Sequence, residues 1–186
     1  ARFAECIIPF IDNDKDKAVE MATEAINTFE EIYQNKWLNM MRDKLGLFGE
    51  DINDQILIME LLTWMHKNKV DYTNTFCLLM DEKIPIDKKY NNEDFIIWKK
   101  NWTNRLKLNN NNEKKKLRLM HSVNPLVIPR NHKIENALEE ANNDNFIPMN
   151  NLLKIIKEPY KNQFNISEFQ ISNPNKSKKY QTFCGT

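Results

Sequence analysis

Cysteine, histidine and clustered aspartate are the residue types in this chain best equipped for chemistry, and their spacing limits what each can do. Cys6, Cys77 and Cys184 show no Cys-x-x-Cys pair and make an odd count, which argues against a disulfide framework or a zinc knuckle and for a reducing compartment. Cys6 and Cys77 stand among apolar residues and read as small core hydrophobes. Cys184, in the terminal string KKYQTFCGT, has polar or flexible neighbours. It is an accessible thiol that only a nearby cation or helix start would make reactive. His66, His121 and His132 lack the His-x-x-x-His spacing that sets two ligands on one helix face. Asp12, Asp14 and Asp16 imitate the opening of a calcium loop. The glycine required at its sixth position is Lys17 and the glutamate at its twelfth is Thr23, so a solvated helix start is the better reading. Lys114 to Lys116 with Arg118 form a basic patch without interleaved aromatics, which reads as a solvated helix face and not a nucleic-acid platform.

Composition narrows the classes further. The formal net charge is +1, so no global field selects nucleic acid or an acidic membrane. No apolar run approaches the ~20 residues that cross a bilayer. The only glycines are Gly46, Gly49 and Gly185. No glycine-rich phosphate loop or dinucleotide fingerprint can be built from them, and primed β-hairpin turns would need more. Sequons at Asn101, Asn165 and Asn175 are expected by chance in so asparagine-rich a chain.

The elements that must position these residues are helical. The first ten residues, ARFAECIIPF, place apolar side chains at helical spacing with no capping residue before them, as a helix cut partway would, which suggests a fragment of a longer protein. The 3–4 spacing from Ala18 through Phe29 to Leu45 predicts one long amphipathic helix over 14–45, stopped by Gly46. Residues 50–69 predict a helix apolar over so wide an arc that it should be buried against several neighbours. A short helix capped by Asp71 or Thr73 follows, then a loop around Pro85. Helices are next expected over 93–108, with Phe95, Trp98, Trp102 and Leu106 on one face, and, after the Asn109–Asn112 tract, over 113–123. Asn124-Pro125 breaks the pattern; helices over 132–142 and from Pro148 toward Pro159 complete the series. The four tryptophans lie on or beside apolar stripes, so core packing explains them. The expected fold is all-α, with seven or eight helices in a non-bundle arrangement over residues 1–160 and an extended polar tail over 161–186 ending in Cys184. No complete active site emerges, and no catalytic, cofactor-binding or metal-ligating residue is assigned.

Five ordered strings carry a resemblance: KLGL at 44–47, DYTNTF at 71–76, NPLVIPRNHKIENALEEA at 124–141, Pro159-Tyr160, and the terminal FCGT. Together they resemble the carboxyl-terminal part of the selenoprotein O (YdiU) family, with one departure at Pro129, where leucine is expected. The resemblance implies the helical carboxyl-terminal part of a protein-kinase-like, pseudokinase fold. It implies a parent enzyme that uses ATP with Mg or Mn to transfer AMP to Ser, Thr or Tyr hydroxyls of protein substrates. The family's nucleotide and metal residues lie in amino-terminal and central parts with no counterpart here, so the fragment itself would be structural and inactive. Its partners would be the missing pseudokinase region and protein substrates, with no nucleic acid and no membrane. The parent would be cytoplasmic if bacterial and mitochondrial if eukaryotic. Cys184 corresponds to the family's terminal selenocysteine or cysteine, for which the resemblance suggests a redox role. On this reading, segments 71–76 and 124–131 are structural joints. The alternative is a free-standing α-helical protein-interaction module.

Overall fold

A computed structural model describes residues 2–80, 88–108 and 112–173. The loop expected at Pro85, most of the Asn109–Asn112 tract and the terminal Cys184 lie outside the described residues. The chain divides into two compact units, residues 1–42 and 43–186. Among the described residues the secondary structure is entirely helical.

The first unit opens with α1 (Arg2–Ile7), which passes into a 3-10 turn at Ile8–Phe10 containing Pro9. Cys6 on α1 is exposed, which corrects its reading as a core residue: α1 buries none of its side chains. Asp14 caps α2 (Lys15–Asn27), accepting the amide hydrogens of Asp16 and Lys17. Asp12 pairs with Lys17 at 2.7 Å. The aspartate cluster is therefore a capping device, as its failed calcium spacing suggests. The single helix expected over 14–45 is two, because α3 begins afresh at Phe29 (Phe29–Lys44). At Thr28 the hydroxyl donates to the Ala25 carbonyl at 2.9 Å, the kind of backbone capture by a threonine that bends a helix.

The second unit holds the rest of the fold. Gly46 ends α3 with φ of 68°. A side chain there would also collide with Lys116 and Met120, so both the turn and the packing require glycine. After it come α4 (Asp54–Asn68), α5 (Tyr72–Leu79), a 3-10 turn at Lys88–Asn91 and α6 (Glu93–Lys107). Then follow α7 (Glu113–Val123), α8 (Asn131–Asn142), α9 (Ile147–Ile156) and α10 (Ile166–Gln170). The last of these lies in the stretch whose composition reads as tail, yet Ile166 and Gln170 are buried.

The core is built along α4 and α6. Leu57, Leu61 and Trp64 of α4 turn inward, and Phe95, Trp98 and Trp102 of α6 meet them. Phe95 lies 4.5 Å from Trp64, and Trp98 stacks on Trp102 at 5.9 Å. Each indole on α6 also finds a backbone acceptor: Trp98 donates to the Leu57 carbonyl and Trp102 to that of Leu45. Below Trp102 on the same face sits Arg105, not an apolar residue. Its Nε donates to Asp54 Oδ1 at 2.7 Å and its Nη2 reaches Asp54 Oδ2 and the Gly49 carbonyl at 3.2 Å each. Asp54 is fully buried and Arg105 nearly so. Of the basic patch, Lys114, Lys115 and Arg118 are exposed, as a solvated face requires, and Lys116 alone departs from that reading. Lys116 is buried, lies 5.4 Å over the Trp102 ring and pairs with Glu113.

Removing one member of a buried pair strands the other's charge. Arg105→Ala is therefore expected to cost about 3–5 kcal/mol in urea unfolding, and the double change to Met at 105 and Leu at 54 to recover most of it. A loss below about 1 kcal/mol would place the pair among ordinary surface bridges.

Candidate functional site

The most highly connected polar cluster grows from the start of α5. Asp71, in extended backbone, caps that helix by accepting the Asn74 amide at 2.9 Å. The same carboxylate receives a two-pronged grip from Arg130. Nη1 donates to Oδ2 at 2.6 Å and Nη2 to Oδ1 at 3.1 Å. The guanidinium spends two further donors on neighbours, Nε on the Phe169 carbonyl at 3.1 Å and Nη2 on Asn74 Oδ1 at 3.2 Å. Arg130 can do this because it is the extended residue immediately before α8, which starts at Asn131.

From this fork the network spreads. Asn74 donates to the Gln170 carbonyl, and the Gln170 side chain donates to the Leu126 carbonyl, both at 2.9 Å. The Leu126 amide in turn donates to the Pro159 carbonyl at 2.8 Å. Asn124 donates to the Lys44 carbonyl at 2.9 Å, and the Lys44 ammonium reaches back to the Val123 carbonyl at 3.4 Å. Thr75 bonds both the Asp71 carbonyl and the Tyr90 hydroxyl. Four of the five strings singled out in the sequence, 44–47, 71–76, 124–141 and 159–160, thus meet in one buried joint. The fifth, with Cys184, lies outside the described residues.

Lys44 is the joint's unusual cation. It is buried, 4.7 Å over the Phe76 ring and 5.6 Å over that of Tyr72. Burial pushes its ammonium below the usual lysine range, and the neighbouring Cys77 opposes the shift. Cys77 is buried, as its apolar setting implies, with its thiol 3.6 Å from the Pro125 carbonyl.

The other chemistry-bearing residues remain scattered. His66, His121 and His132 stand on α4, α7 and α8. Burial and the nearby Lys133 and Arg130 lower the pKa of His132. Among the described residues no group of three His, Cys, Asp or Glu side chains could hold a metal ion. Asp54 and Asp71, the acids at the heart of the fold, each have both carboxylate oxygens engaged by an arginine. No described helix is long and apolar enough to cross a membrane. Sequence reasoning singled out the two joint segments but missed Gln170, the burial of Lys44 and the Asp54–Arg105 pair. Only Arg105 left a signal, a charge at helical spacing on the Phe95–Trp98–Trp102 face.

Fold and joint together define an all-α packing region whose buried aspartates are committed to arginines. The sequence matches the family described as Protein adenylyltransferase SelO over residues 1–157. It is 53% identical over 185 residues to the protein nucleotidyltransferase YdiU of Pelagibacter ubique. To the proteins of the same description from Nitrosococcus oceani and Clostridium perfringens it is 44% and 39% identical. The matches take in 100% of this chain and 38% of each relative. The chain belongs to the SelO protein adenylyltransferase family.

Two measurements check the joint. Arg130→Lys keeps the charge but loses the planar fork, so it is expected to recover less than half of the about 3–5 kcal/mol that Arg130→Ala costs in urea unfolding. Full recovery by lysine would mean that charge alone matters. Lys44 gives a pH signature. The folded chain holds its proton less tightly than the unfolded chain, so a penalty is fully present below the folded pKa and is relieved as pH rises toward the ordinary value of 10.5. The parent chain should therefore gain stability relative to Lys44→Met as pH climbs through that window; a pH-independent difference would contradict the assignment.

Proposed function

We propose that this chain is the helical carboxyl-terminal support of a protein adenylyltransferase with a pseudokinase fold, and that the nucleotide site is built by polypeptide outside it. The whole enzyme would use ATP with Mg or Mn. A Ser, Thr or Tyr hydroxyl of a protein substrate would attack the α-phosphoryl group. A new oxygen–phosphorus bond would form, pyrophosphate would leave, and the hydroxyl proton would pass to a base outside this chain. Such transfer depends on positioning and on positive charge around the phosphates, and this chain's part would be to hold that machinery rigidly.

The single observation that carries the reading is that four of the strings marking the family are spent on one another in the joint around Arg130. Residues so committed are fitted to support, and among the described residues the two acids at the heart of the fold are not open to a resident cation. The carboxylates of Asp54 and Asp71 already hold arginines. No step of the transfer is therefore assigned to a residue of this chain. Family membership supplies the class of reaction, since the relatives' descriptions name nucleotidyl transfer to protein.

The family-length protein containing this chain is expected to label protein from α-labelled ATP and not from γ-labelled ATP. The chain alone should give no heat of ATP–Mg binding in calorimetry. Labelling only from the γ position would make the enzyme an ordinary kinase, and stoichiometric binding by the chain alone would move the site into it.

A further inference from the structure

The wide apolar arc of α4 is covered on one side only. Leu57, Ile58, Leu61, Trp64 and Met65 are buried, whereas Ile56 and Met59 are 60% and 47% exposed, as is Ile52 just before the helix at 92%. Ile96 and Ile97 of α6 are likewise more than half exposed. Between the two helices runs a groove of about 660 Å³, with Ile56, Met59, Trp64, Ile97 and Trp98 in its lining. Its rim is polar: Gln55, Glu60 and Asn101 line it too, and Lys67 pairs with Asp94 at 3.4 Å. Trp64 is 5% exposed, and its indole N–H has no acceptor among the described residues. A centre of methionine, tryptophan and isoleucine inside a charged and amide rim is the make-up of a protein-binding surface. Along α4 the lined face extends over about 18 Å, at 1.5 Å per residue, enough for about three turns of a partner helix.

No described residue covers this groove, and the curated relatives are much longer than the chain, which spans 38% of each. We propose that the groove is an intramolecular docking surface, occupied by an apolar segment of the polypeptide that makes up the rest of the family-length protein. The inference rests on the reading of this chain as the support of a larger transferase. It names the face through which the support is held. Covalent linkage makes such an occupant effective even with modest intrinsic affinity, because tethering supplies millimolar local concentration. Apolar side chains this exposed would otherwise favour self-association, so a second copy is the competing occupant.

Hydroxyl-radical footprinting of Met59 in this chain and in the family-length protein tests the proposal. Oxidation of Met59 should fall by about tenfold or more in the longer protein, as expected for passage from a half-exposed to a desolvated site. Met59→Glu should lower the melting midpoint of the longer protein by about 4 °C or more and leave that of this chain within about 1 °C, as for an ordinary surface change. Equal oxidation in both proteins would overturn the proposal. So would protection already present in the chain alone, whether it is independent of concentration or grows with it as a dimer forms. The labelling experiment reads separately. Transfer with an open Met59 would sink only the docking surface, and a protected Met59 without transfer would sink only the enzymatic reading.

Discussion

The guanidinium of Arg130 is the constraint on which the second unit depends. One planar group binds both oxygens of Asp71, the Asn74 side chain and the Phe169 carbonyl. It thereby fixes the start of α5, the approach to α8 and the backbone of α10 at once. Buried ion pairs commonly return little net stability, because desolvation offsets the attraction. This pair differs in that its carboxylate is also the cap of a helix. The charge that satisfies the arginine satisfies an otherwise orphaned amide too. Loss of Asp71 would strand Arg130 and uncap α5 together, whereas loss of Arg130 would strand the capping carboxylate.

The second buried pair follows the same logic at the other end of the core. Arg105 closes the aromatic face of α6 by gripping Asp54 at the start of α4 and the Gly49 carbonyl before it. In both pairs a helix-terminal aspartate is locked by an arginine more than fifty residues away. Such locks specify which helix ends meet, where apolar packing alone would tolerate slippage. A region built this way is suited to holding a neighbour in fixed geometry, which is the part proposed for it in the transferase.

Local signals made much of the second unit legible. Asp71 as a cap, Gly46 as a stop, Pro148 in a first turn and the Asn124-Pro125 break all act within a few residues, and each stands where the sequence places it. What could not be read depends on distant partners. Nothing near Gln170 indicates that it will be buried against the Leu126 carbonyl, and nothing near Lys44 foretells two aromatic rings. The break at Thr28 rests on a side-chain bond that competes with the helix without altering its apolar period. The arc of α4 shows a further limit. Periodicity reports that a face is apolar, not what covers it, so Ile56 and Met59 look like core residues and stand open to solvent among the described residues.

Native-state hydrogen exchange tests the central claim, that one polar joint holds these segments as a unit. The Asn74 amide is bonded to Asp71, and the Leu126 amide to the Pro159 carbonyl; their segments meet through Arg130 and Gln170. The two amides should open with the same free energy, and Arg130→Ala should lower both protections by the same factor. Unequal opening in the parent chain, or loss of protection at Asn74 with Leu126 unchanged, would contradict it.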